Sequence, residues 1–191
     1  VWPMEPRHTT VDISVGQLDV LLWDLRQEAR STAPGHPAET AGRTGTDCPA
    51  VSTEPTVIAL HGFPQTAWEW SPVAEILAAK GVRTVAPTQR GYARAARPSG
   101  VADYAIEHLG VDVLAVADHL GVDRIHVLGH DWGASVAWWL AAHHPDRIAS
   151  LTALSVPHLT AFGDAVATDP EQQRRSAYFG LFRQVGTAED I

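Results

Sequence analysis

The chain has 191 residues, 45% of them hydrophobic, with 22 acidic against 14 basic side chains and a formal charge of -8. That apolar content supports one globular core, while the acidic balance and the lack of any Lys/Arg block exclude nucleic acid and anionic membrane surfaces as partners. A lone Cys48 excludes a disulfide framework and a Cys-based metal site, so neither metal nor cofactor is expected; with no signal-peptide layout and no apolar run near the roughly 18 residues that span a bilayer, the expectation is a soluble, cytoplasmic protein.

From Val11 to Leu25 apolar and polar residues alternate around Gly16-Gln17, the pattern of a half-buried β-hairpin. Residues 28–55 then turn to Ala, Thr, Gly, Pro and charge without periodicity, which predicts a flexible loop insertion. Thr56 to Leu60 is a short continuous apolar run, as a strand buried on both faces requires. Trp70, Val73, Ala74 and Leu77 recur at helical spacing before a stop at Lys80-Gly81. Val82 to Ala86 reads as the next strand, and Gln89 to Gly100 as a loop.

Ile106, Leu109, Val113, Val116 and Leu120 mark one face of a helix that Gly121 ends. A strand follows from Arg124 to Leu128, an apolar helix from Ala134 to His144 stopped by Pro145, and a strand from Ile148 to Ser155. Alternating strands and helices predict an α/β fold, a mostly parallel sheet with helices on both faces.

Between the Arg124 strand and the Ala134 helix lies Gly129-His130-Asp131-Trp132-Gly133. The spacing is Gly-x-nucleophile-x-Gly at a strand-to-helix turn, with Asp131 where many proteins carry Ser. The glycines permit a turn too tight for side chains, and the central residue is forced into a strained conformation that projects it above the sheet. The plainer alternative is that Asp131 caps the helix behind it. Against that stands His61-Gly62-Phe63-Pro64 at the end of the first central strand, where the backbone N–H groups of Phe63 and Trp132 are expected to form an oxyanion hole.

His61 to Gln65, Trp68 and Trp70, Gln89-Arg90-Gly91-Tyr92, Gly129 to Ala134 and Val156-Pro157-His158 together resemble the α/β-hydrolase branch that contains epoxide hydrolases and some dehalogenases. The resemblance runs from Thr56 to Phe162. It implies a cis Phe63-Pro64 peptide, Asp131 as catalytic nucleophile forming a covalent alkyl ester, and pocket or supporting places for His61, Gly62, Pro64, Gly129, His130, Gly133 and His158. The substrate implied is a small hydrophobic epoxide-like or halogenated molecule. Thr88 departs from the pattern, since relatives carry Asp before the Arg-Gly pair.

Ester cleavage needs a His that follows the nucleophile in the chain, and the family's catalytic His and its acid partner have no match here. His143 and His144 read as residues of a helix C-terminus, and His158 belongs to the entry of the family's helical cap. The expected organisation is therefore residues 1–160 as the N-terminal part of the hydrolase core and 161–191 as the start of the cap, with Asp169 to Ile191, including Tyr178, forming its first helix. The fold would be incomplete at the C-terminus, as in a fragment or a pseudo-enzyme, with self-association through an exposed truncated sheet.

Competing readings separate on pocket contacts. Haloalkane dehalogenases share the Trp132 position but carry Asn where Phe63 stands, and haloacetate dehalogenases carry Arg where Trp132 stands. Epoxide opening is preferred to halide displacement on these grounds. A Ser esterase is disfavoured because no Gly-x-Ser-x-Gly occurs, and a non-catalytic fragment is the remaining alternative.

Overall fold

The computed structural model describes residues 4–24 and 55–184. The predicted loop insertion at 28–55 lies outside the described residues except for Pro55. The strands are β1 (Arg7–Ile13), β2 (Gly16–Trp23), β3 (Thr56–Leu60), β4 (Arg83–Pro87), β5 (Ile125–His130) and β6 (Ile148–Leu154). They form a six-stranded sheet in the order β1-β2-β4-β3-β5-β6. β1 and β2 are antiparallel, as are β2 and β4, whereas β3 runs parallel to β4 and β5, and β5 parallel to β6. This is the α/β-hydrolase fold, with the mostly parallel sheet that the sequence predicts.

Alternation along the strands sorts side chains onto two different layers. Leu18, Val20 and Leu22 of β2, Ile58 and Leu60 of β3 and Val85 of β4 join one cluster, packed by Val113, Val116 and Ala117 of α2 (Ile106–His119) and Val136, Ala137 and Leu140 of α3 (Trp132–His143). The intervening Leu21, Trp23, Ala59 and Ala86 join a second cluster with Trp70 and with Ala74 and Ala78 of α1 (Ser71–Ala79). The second layer sets small Ala59 and Ala86 against the two indoles, a volume match that close packing requires. β3 must be apolar on both faces because helices cover both.

The hairpin starts earlier than the Val11 boundary read from the sequence. β1 begins at Arg7, and the turn falls at Ser14-Val15, with Ile13 opposite Gly16. In β1 only Val11 is buried, so its first half carries no hydrophobic alternation to read. The helix stops do lie where glycine is needed: Gly81 and Gly121 have φ of 76° and 65°.

The residues pack into two compact units, one ending at Ser155 and the other beginning at Val156. Within the second, α4 (Leu159–Thr168), α5 (Pro170–Arg175) and α6 (Tyr178–Phe182) are short helices. The helix placed at Asp169 to Ile191 is thus preceded by another, and its described part is broken in two. Asp169 marks the boundary between α4 and α5. Its side chain accepts a hydrogen bond from Glu171 N–H at 2.8 Å, capping α5, with Pro170 suited to the first helical position. Phe162 and Phe179 meet edge-on at 6.2 Å between centroids and tie α4 to α6.

Candidate active site

β5 continues through His130, and α3 begins at Trp132, two residues before the predicted Ala134 start. Asp131 is the single residue between them, with φ 51° and ψ -120°. A positive φ is strained for a residue with a Cβ, and the surrounding contacts must hold it. Asp131 N–H donates to Leu154 O at 3.3 Å, and its carbonyl accepts from Ala134 N–H at 3.0 Å. The side chain makes no helix-capping bond, so the capping alternative fails. Instead Oδ1 accepts from Phe63 N–H at 2.9 Å. Among the described residues Oδ2 has no hydrogen-bond partner.

Glycine is required where the two loops meet. A Cβ on Gly62 would stand 2.8 Å from Asp131 Oδ1, and one on Gly133 would stand 2.8 Å from His61 O. One on Gly129 would come within 2.6 Å of Ala134 Cα. Each approach is tighter than carbon can tolerate, so the elbow and the His61 loop are in contact only because these positions lack side chains.

His61 is fully buried and built into the loop. Its Nε2 accepts from Gln89 N–H at 3.1 Å, so the proton sits on Nδ1, which donates to Gly62 O at 3.0 Å. Gln89 Nε2 returns a bond to His61 O at 2.5 Å. Burial lowers the His61 pKa, against the Gly62 bond and the charge of Glu69, and so favours neutral imidazole. Tyr92 packs edge-on against its ring at 4.7 Å. Burial, and then the Asp131 charge, raises the Tyr92 pKa. The Phe63-Pro64 peptide is cis, as the resemblance implies.

Several neighbours escape a reading of the sequence. Glu69, on the 3-10 turn Ala67–Trp70, accepts from Gly62 N–H at 3.3 Å through Oε2 and places Oε1 2.6 Å from His130 Nδ1, outside hydrogen-bond alignment. Arg90 makes a bidentate pair with Asp112 of α2, at 2.8 and 2.7 Å, and donates to Asp103 O at 2.7 Å. Both partners are buried, and this pair fixes the loop after β4. Thr88 contributes its backbone N–H, which bonds Asp19 O at 2.7 Å. Arg90 stood inside a quoted motif, but nothing in the sequence singled out Glu69 or Asp112.

The structure brings together His61, Gly62, Phe63, Gly129, His130, Asp131 and Gly133. Phe63, whose amide meets the carboxylate, and Trp132, next to Asp131 in the chain, are 53% and 58% exposed. Trp132 supplies the first amide of α3, one that a helix cannot satisfy internally. His143 Nδ1 lies 2.9 Å from Trp139 O in the last turn of α3. His158 is the exposed N-cap residue of α4, in the second unit. Among the described residues no group of three or more His, Cys, Asp or Glu is arranged to hold a metal ion, and no helix is long and apolar enough to cross a membrane.

Comparison with known proteins gives the site its context. A family model for the alpha/beta hydrolase fold matches residues 55–189. Epoxide hydrolase B of Mycobacterium tuberculosis is 43% identical over 135 residues, covering 71% of this chain and 38% of that protein. The crystal structure of an epoxide hydrolase from Vigna radiata superposes with a TM-score of 0.71 at 28% identity, covering 97% of this chain and 52% of that one. A structure of a novel epoxide hydrolase from hot-environment metagenomes gives a TM-score of 0.77 at 26% identity, covering 97% and 54%. The chain spans less than half the length of the curated relatives it matches, such as the Mycobacterium protein at 38%. By the extent of the family match and by these similarities, the chain belongs to the α/β-hydrolase fold family, among its epoxide hydrolase-like members.

Proposed function

We propose that Asp131 is the nucleophile of an epoxide-opening reaction. Its carboxylate attacks an epoxide carbon, the ring C–O bond breaks, and the departing oxygen takes a proton from water as the covalent ester forms. The observation that carries this reading is the orientation of Asp131. A strained backbone turns its carboxylate away from the helix N-terminus and onto the Phe63 amide, with Oδ2 left available for attack. The exposed Phe63 and Trp132 rings suit a small hydrophobic substrate, and the resemblance to named epoxide hydrolases supports the choice of electrophile.

Cleavage of the ester by water places negative charge on the former carboxylate oxygen. The amides of Phe63 and Trp132 are the proposed donors to that charge, each worth a few kcal/mol in such sites (about 3–4). Water must also be activated by a base. His143 lies at the far end of α3, roughly 18 Å from Asp131 at about 1.5 Å per residue, and cannot serve. We expect the ester to form faster than it is hydrolysed.

Intact mass after exposure to a reactive aryl epoxide tests the reading. A single adduct in the native chain, absent in Asp131→Ala, is expected. No adduct, or one that persists in Asp131→Ala, favours the non-catalytic reading. Trp132 keeps halide displacement as a second reading, because it follows the nucleophile in the chain at the position that haloalkane dehalogenases share; an alkyl halide that labels Asp131 faster than the epoxide would select it.

A further inference from the structure

The His61 loop and the nucleophile elbow are joined twice. Phe63 N–H donates to Asp131 Oδ1 at 2.9 Å, and the neighbouring Gly62 N–H donates to Glu69 Oε2 at 3.3 Å. Successive amides that each meet a carboxylate are an anion-binding arrangement of backbone. The torsions that set one amide against the other belong to Gly62, the residue type with the least intrinsic backbone restraint. Holding the Phe63 amide on its target therefore calls for an external constraint at Gly62, and Glu69 supplies it.

Glu69 also reaches the elbow. Its Oε1 lies 2.6 Å from Nδ1 of His130, the residue preceding Asp131, with side-chain exposures of 19% and 27%. The two side chains thus lie against each other without an aligned hydrogen bond. His61 feels the Glu69 charge, and Tyr92 feels that of Asp131, so these are the other titratable groups facing the same junction.

We infer that Glu69 is a positioning residue of this site: it fixes Gly62 N–H and draws in His130, so that the Phe63 amide stays aimed at Asp131. The consequence for catalysis rests on the reading of Asp131 as nucleophile, while the consequence for the loop does not.

Amide exchange in the 15N-labelled full chain separates the two. In Glu69→Ala the Phe63 amide should exchange about tenfold faster, the effect of losing one hydrogen bond, with amides of Val85 and Val127 still protected. Glu69→Gln keeps an acceptor for Gly62 N–H, so it should stay within about threefold of native. Unchanged Phe63 exchange in Glu69→Ala with a protected core would overturn the inference. Were Glu69→Ala to lose its core protection, Glu69→Leu, which keeps side-chain volume without an acceptor, decides: Phe63 exchange at the native rate overturns the role, and faster exchange with a protected core supports it. The rate of adduct formation is read in parallel. A native chain that forms no adduct refutes the nucleophile reading and leaves the exchange result standing, whereas adduct formation equally fast in Glu69→Ala refutes the catalytic consequence of the clasp.

Discussion

β3 and β6 both lie in the parallel part of the sheet, and both were legible as strands, yet they live in different environments. Every residue of β3 is buried or nearly so, while β6, last in the sheet order, is buried only at Ile148 and exposes Ala149, Ser150, Thr152 and Leu154. A strand's existence follows from local pattern, but its burial depends on what packs against it. Ser150 and Thr152 are exposed in β6, whereas the one polar residue of β3, Thr56, is buried. Among the described residues the cooperative core therefore sits in β2 to β5, and β6, beside the elbow, contributes little to it.

Breaking the interior should cost most. Arg90→Ala would strand Asp112 in a buried position without its cation, and we expect about 3–5 kcal/mol of lost stability by urea denaturation. Ile58→Ala should follow at about 2–5 kcal/mol, through lost burial and a cavity. Thr152→Ala in β6 should stay within about 0.5 kcal/mol, as exposed substitutions do. If Ile58→Ala and Thr152→Ala destabilised equally, the contrast between the two strands would be lost.

Acid should act on the interior through His61. Its pKa is lowered by burial, so the unfolded chain binds the proton more readily than the folded one. The stability this contributes is present above the ordinary histidine value of 6.5 and is lost as pH falls from there toward the folded value. Melting temperature followed downward through that range should fall less steeply in His61→Gln than in the native chain. A smaller effect is expected at the margin. Among the described residues β6 is the last strand of the sheet, so we expect the isolated 191-residue chain to associate as its concentration rises, and a charge placed there by Thr152→Lys to weaken this in analytical ultracentrifugation. A native chain that remains monomeric at all concentrations would remove that prediction.

The same division governs how much the sequence revealed. Continuous apolar runs and glycine stops gave β3, β4, α1 and α2 almost to the residue, because those patterns follow from burial on a regular element. The first half of β1 was missed because its side chains are mostly exposed. α4 was missed because, within a unit whose residues are largely exposed, it carries no buried residue to mark a face. At the site, the glycines, Phe63 and Asp131 could be placed because a tight turn restricts residue type at fixed spacing. The pairs Arg90 with Asp112 and Glu69 with His130 join residues far apart in the chain through side-chain geometry, which no periodicity records.

Whether Asp131 forms a covalent ester is read by mapping the modified peptide after epoxide treatment. One adduct is expected, located on Asp131 and released by hydroxylamine as an ester should be. A stable adduct on His130, His158 or any other side chain, with Asp131 unmodified, would contradict it.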